Sequence, residues 1–214
     1  MDGFASVILD VDSTLCRIEG IDWLAARRGP DVEREVTLLT DRAMRGEIPL
    51  DAVYGDRLAL VRPGLGDIVA LTSAYVASLA HDAKRAIGQL QDEGRRVVLI
   101  SGGLREAILP VASLVGIPSR DVHAVSVMFD ANDGYAGFES DSPLATAEGK
   151  RTVAQRLGLP RPLLAVGDGA TDLAQRPAVD AFAAYTGFVR RDAVVAGADF
   201  VVESFDQLLE LVLA

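Results

Sequence analysis

Three short apolar runs, each halted at small or acidic residues and each followed by a helical pattern, restrict the fold of this chain more than any other feature. Phe4 to Leu9 (FASVIL) stops at DVDST, Arg95 to Ile100 (RRVVLI) stops at Ser-Gly-Gly, and Pro162 to Val166 (PLLAV) stops at Gly-Asp-Gly. Continuous apolar runs of this length read as strands buried on both faces. Strands that alternate with helices predict a parallel sheet covered on both sides. Ala178–Ala184 and Asp199–Val202 read as further short strands.

The helical patterns between them end on glycine, the residue expected just past a helix terminus. Ala83 to Glu93 is closed by Gly94, Leu104 to Val115 by Gly116, and Lys150 to Leu157 by Gly158, while Phe205 to Leu213 reads as a final helix. Asp121 to Phe138 predicts a strand and a hairpin turning at Asn132-Asp133-Gly134. Glu19 to Ser78 differs, because it carries no convincing strand. Its apolar residues recur at helical spacing (Val53, Leu58, Leu60, Val61; Ile68, Leu71, Tyr75, Leu79), and Pro30, Pro49 and Pro63 punctuate it. It reads as a helical insertion between the first and second strands.

Half of the 214 residues are hydrophobic, enough for a substantial core. Lys and Arg number 21 against 31 Asp and Glu, a formal charge of −10. That balance argues against a nucleic-acid or anionic-membrane binder, which needs a basic face. It leaves room for a small anionic substrate held by a few local cations and a metal. Cys16 is the single cysteine, so no intrachain disulfide forms. With no basic-then-apolar leader at the N-terminus and no apolar run long enough to span a bilayer, the expectation is a soluble cytoplasmic protein. Oligomeric state is not legible.

Four segments carry chemistry. Asp10 and Asp12 end the first strand, and Asp168 and Asp172 follow the third apolar run in GDGATD. Paired carboxylates at strand ends suit Mg²⁺, a hard cation that prefers oxygen ligands, and ligands of open α/β sheets bind beyond the strands' carboxyl ends. Ser101-Gly102-Gly103 offers a hydroxyl and bare N–H groups before a helix, suited to phosphate. Lys150 opens a helix and supplies positive charge. Singly, each is weak: an Asp-x-Asp pair is more often a plain turn, and a lone lysine is usually solvated. All four, in this order and each at an element boundary, are hard to obtain by chance.

In that order the segments resemble the motifs of the haloacid dehalogenase-like hydrolases: DVDST (Asp10–Thr14), Ser101, Lys150 and GDGATD (Gly167–Asp172). Within that superfamily the chain resembles the phosphoserine phosphatases. The similarity runs through DVDSTLCRIEGIDWLA, RAMRGEIPL, RLALVRPG, LISGG, YAGF, EGK and VGDGATD, spread over nearly the whole chain. The resemblance implies a Rossmann-like core (1–15 and 79–214) with a small helical cap (16–78) inserted after the first strand. It implies that Asp10 attacks phosphorus and becomes an aspartyl phosphate, with Asp12 as acid and then base. Mg²⁺ is then held by Asp10, the Asp12 carbonyl and Asp168, with Asp172 in support. Lys150, Ser101, Gly102, Gly103 and Thr171 surround the phosphoryl group. Glu19 pairs with the ammonium of L-phosphoserine and Arg57 with its carboxylate, while Met44 and Leu50 line the pocket.

The chain departs from the family pattern at Val125-Ser126, where an Asn-Arg pair is common, at Leu50, which replaces an aromatic residue, and at His81-Asp82, where Pro-Gly is common. Other small phosphomonoesters therefore stay in play: phosphohomoserine, histidinol phosphate or a sugar phosphate. A phospho-accepting signalling receiver also clusters Asp, Thr and Lys on a doubly wound sheet, but in a different order and a shorter chain; here Lys150 precedes the GDGATD acids. A dinucleotide-binding reading fails because GDGATD lacks the third glycine of G-x-G-x-x-G and lies far from the first strand.

Overall fold

The computed structural model describes residues 3–44, 47–48 and 50–214, with the side chains at 41, 43, 44 and 50 outside that description. The strands are β1 (Ser6–Leu9), β2 (Arg96–Leu104), β3 (Val122–Val125), β4 (Val127–Phe129), β5 (Tyr135–Phe138), β6 (Leu163–Gly167), β7 (Ala181–Tyr185) and β8 (Phe200–Val202). The helices are α1 (Gly20–Arg28), α2 (Pro30–Met44), α3 (Leu50–Val61), α4 (Leu65–Ala77), α5 (Ala83–Asp92), α6 (Arg105–Leu114), α7 (Gly149–Leu157), α8 (Ala170–Leu173), α9 (Asp192–Gly197) and α10 (Phe205–Leu213).

Six strands form one sheet in the order β3-β2-β1-β6-β7-β8, and every pairing in it is parallel. The first apolar run thus takes the centre. Leu9 pairs with Leu99 on one side and Val166 on the other. Asp10, Ile100 and Gly167 form the next rung, with Ser101 and Asp168 one residue beyond. The chain builds outward in one direction through β2 and β3 and in the other through β6, β7 and β8. The ends of β1 and β6 therefore flank the crevice where strand order reverses, the usual ligand site of such sheets.

Side chains alternate across the sheet with period two. Val7, Leu9, Leu99, Leu164 and Val166 meet Ile87 and Leu90 of α5, Ile108 of α6 and Phe205 and Leu208 of α10. Ile8, Val98, Ile100, Ala165 and Phe182 face the other way, toward Ala154 of α7 and Val194 of α9. Every residue of β1, β6 and β7 is buried, as a sheet covered on both faces requires.

Gly94, Gly116 and Gly158 carry positive φ just past α5, α6 and α7, as their placement predicts. The β4–β5 hairpin turns through Asp133, with the Asp130 N–H bonded to the Gly134 carbonyl at 2.9 Å. The Ser101-Gly102-Gly103 segment differs from expectation. It stays within β2, which runs on to Leu104, and its pairing with β3 slips between Ile100 and Leu104. The missing Cβ permits this: at Gly103 one would sit 2.7 Å from an Asp12 carboxylate oxygen. The strand expected at Ala178 starts instead at Ala181, because Arg176–Ala178 tightens into a 3-10 turn.

Between β1 and α5 the described residues form α1 to α4 and no strand. The two crossings into this insertion run side by side: the Arg17 N–H donates to the Ser78 carbonyl at 3.0 Å and the Ala80 N–H to the Leu15 carbonyl at 2.9 Å. No described helix is long and apolar enough to cross a membrane.

Candidate active site

Asp10 extends β1 by one residue, its N–H bonded to the Val166 carbonyl at 3.0 Å, and its carboxylate is buried. Lys150, in the first turn of α7, places Nζ 2.7 Å from Asp10 Oδ1 and 2.6 Å from Asp172 Oδ1. Burial pushes the Asp10 carboxyl well above the usual carboxylate range, the Asp172 charge adds to this, and Lys150 opposes it. Burial also works against the Lys150 charge, but Asp10 and Asp172 outweigh it and hold the ammonium protonated.

Asp172 caps the Gly169 N–H at 3.0 Å. It reaches this position because Gly167 has no side chain: a Cβ there would lie 2.1 Å from the Asp172 carboxyl carbon. Asp168 accepts the Thr14 hydroxyl at 3.2 Å and contacts the Arg191 guanidinium. One carboxylate oxygen from each of Asp10, Asp168 and Asp172 fits within 4.8 Å of the others.

Asp12 turns away from that trio. It accepts the Gly20 N–H at 2.6 Å, the Tyr75 hydroxyl at 2.7 Å and, more weakly, the Ser101 hydroxyl at 3.3 Å. Burial first, and the Glu19 charge next, raise its pKa to about 6 against the pull of Tyr75 and Gly20. A carboxyl poised there can both give and take a proton near neutrality. Ser101 Oγ also accepts the Gly103 N–H at 2.9 Å.

These groups open onto one cavity of about 610 Å³, lined also by Glu19, Arg57, Gly102, Gly103 and Thr171. The structure thus brings together Asp10, Asp12, Glu19, Arg57, Gly102, Gly103, Lys150, Asp168, Thr171 and Asp172, with Ser101 buried directly behind Asp12. Glu19 accepts the Ser13 hydroxyl at 2.7 Å. Arg57 pairs with Asp22 at 2.6 Å, while its buried Nε makes no hydrogen bond. The pocket roles expected of Met44 and Leu50 rest on side chains that lie outside what the structure describes.

Sequence reasoning missed four contributors. Tyr75 was legible only as a core position of α4, since periodicity says nothing of its hydroxyl. Thr14 lay inside the first motif without a role. Tyr54, whose hydroxyl donates to the Gly102 carbonyl at 2.8 Å, sat in a helix read for its apolar face. Arg191 gave no signal beyond an Arg-Arg-Asp run. Cys16 is buried, and burial, with the Asp12 and Asp10 charges nearby, pushes its thiol up.

The donor set fits a hard divalent cation. Asp10 Oδ1 and Asp168 Oδ2 are buried carboxylate oxygens, each facing a protein cation, Lys150 or Arg191. The acids lining the cavity (Asp10, Asp12, Glu19, Asp168, Asp172, Asp192) outnumber the lining cations Arg57, Lys150 and Arg191, so an entering phosphate needs further positive charge.

The haloacid dehalogenase-like hydrolase family matches residues 4–174. Human phosphoserine phosphatase is 37% identical over 207 residues, which cover 95% of this chain and 91% of the relative. A phosphoserine phosphohydrolase-like protein from Francisella tularensis superposes with a TM-score of 0.84 at 24% identity, covering 97% of this chain and 99% of that one. The phospho-aspartyl intermediate analogue of a phosphoserine phosphatase superposes with a TM-score of 0.80 at 22% identity, covering 97% and 98%. The chain belongs to the haloacid dehalogenase-like hydrolases and, within them, to the phosphoserine phosphatase family, and is a phosphomonoester hydrolase.

Proposed function

We propose that the chain hydrolyses L-phosphoserine to L-serine and phosphate with Mg²⁺, through an aspartyl phosphate on Asp10. The observation that carries this reading is that Glu19 and Arg57, a partner for an ammonium and one for a carboxylate, line the same cavity as Asp10 and Lys150. The Asp10 carboxylate attacks phosphorus, and the bond to the serine oxygen breaks as Asp12 gives that oxygen its proton. Asp12, now ionised, takes a proton from the water that attacks the acyl phosphate, releasing phosphate and restoring Asp10. Lys150, Ser101 and the Gly102 N–H orient the phosphoryl oxygens and offset their charge, with Thr171 at the rim. Asp10, Asp168 and the Asp12 carbonyl, with Asp172 in support, would hold Mg²⁺, which would supply the positive charge that lets two anions meet.

Helices α1 to α4 act as a cap over this chemistry, and the paired crossings at Leu15–Arg17 and Ser78–Ala80 form its hinge. The substrate is a small phosphorylated metabolite, with neither nucleic acid nor membrane as a partner, and the unpaired, buried Cys16 fits a cytoplasmic setting in serine biosynthesis.

Phosphate release from a panel with Mg²⁺ tests this. Phosphoserine should head phosphohomoserine, histidinol phosphate and sugar phosphates in kcat/KM. If another member leads, the substrate assignment moves to it.

A further inference from the structure

Two side chains one turn apart on α3 reach across to β2 and to the segment just before α7. The Tyr54 hydroxyl donates to the Gly102 carbonyl at 2.8 Å, and the Asp51 carboxylate accepts the Ala147 N–H at 3.0 Å, three residues before Lys150. Arg57 follows Tyr54 by three positions, so all three share a helix face. The Tyr54 ring lies against Phe138 with centroids 5.4 Å apart. Burial, and then the Asp12 charge, push its phenol up, so it stays a donor. The Gly102 carbonyl belongs to the same peptide group as the Gly103 N–H, which Ser101 Oγ accepts at 2.9 Å. That peptide is therefore gripped at both ends, by the insertion through Tyr54 and by the sheet through Ser101.

We propose that Tyr54 is a positioning residue that ties Arg57 to the Gly102–Gly103 peptide. It thereby sets the distance between the group that reads the substrate's carboxylate and the loop that holds its phosphoryl group. This role rests on the phosphoserine reading above, and its consequence is selection by chain length. A substrate one methylene longer cannot satisfy both ends while the hydroxyl holds the two in register.

Tyr54→Phe keeps the ring against Phe138 and removes only the hydroxyl, so the fold should survive; kcat and KM are compared with wild type for phosphoserine, phosphohomoserine and phosphoethanolamine. KM for phosphoserine should rise about tenfold, the value of one hydrogen bond, with kcat changing by less than about threefold. The preference for phosphoserine over phosphohomoserine should shrink by about fivefold or more, and phosphoethanolamine, which lacks the carboxylate, should lose several-fold less than phosphoserine. Equal losses on all three substrates, or an unchanged preference, overturn the proposal. If wild type does not favour phosphoserine, the functional reading fails separately and hydrogen exchange decides the tie. Faster exchange across Val53–Val61 in Tyr54→Phe, with β1 and β6 unchanged, supports it, and identical exchange overturns it.

Discussion

Tyr75, near the end of α4, donates its phenol to Asp12 Oδ1 at 2.7 Å, so the insertion supplies a direct partner to the proposed acid–base residue of the core. This hydrogen bond favours the ionised carboxyl, against burial and Glu19, which favour the neutral form. Removing it should raise the Asp12 pKa. In Tyr75→Phe the limb of the pH–rate profile that belongs to Asp12, near 6 in the wild type, should move to higher pH by about one unit. An unmoved limb would detach Asp12 from that titration.

Asp10→Asn should abolish turnover, because an amide is not a competent nucleophile here, yet it should stabilise the metal-free protein. The folded pKa of Asp10 is raised above its unfolded value. The corresponding stability is complete below the unfolded pKa and is lost as pH rises. Asn stays neutral throughout. With EDTA at about pH 7.5 the variant should be more stable than wild type, with the gap narrowing toward about pH 4. Mg²⁺ should also narrow it. Thermal melts at both pH values check this, and a less stable variant at the higher pH would refute it.

Arg191 contacts Oδ2 of Asp168, one of the three carboxylates that could hold a metal. A guanidinium and a divalent cation compete for one carboxylate, so Arg191→Gln should tighten Mg²⁺ binding by about five- to tenfold, measured by calorimetry without substrate. Weaker or unchanged binding would make Arg191 a supporting residue rather than a competitor.

The centre of the fold and most of the site were legible for one physical reason. A strand buried on both faces must be continuously apolar, and a chemical site at its end interrupts that run sharply. FASVIL-DVDST and PLLAV-GDGATD are such interruptions, and they located Asp10, Asp12, Asp168 and Asp172. The helical character of Glu19–Ser78 was legible because helical spacing replaces strand patterning there. Tyr75, Tyr54 and Arg191 were hidden because each acts through polar side-chain atoms reaching between elements distant in sequence, and local pattern does not encode such pairing. The extension of β2 through Ser101-Gly102-Gly103 was hidden too, since two glycines locally favour a turn, while the close approach of Asp12, Ile108 and Ser101 to Gly103 comes from packing that local sequence does not show.

Arg57 is proposed to read the substrate's carboxylate and no part of the phosphoryl chemistry. Arg57→Ala should lower kcat/KM for phosphoserine by about 2–3 kcal/mol, or roughly 30- to 150-fold. Turnover of phosphoethanolamine, slow already, should barely change. Equal slowing of both substrates would make Arg57 structural.

The central claim is that phosphorus passes through Asp10. Rapid acid quench of the enzyme turning over phosphoserine with Mg²⁺, followed by peptide mass spectrometry, tests it most directly. A hydroxylamine-labile phosphate on Asp10 that forms and decays within turnover is the predicted result. Full turnover with no phosphate on Asp10 at any time, or with phosphate on another residue, would contradict it.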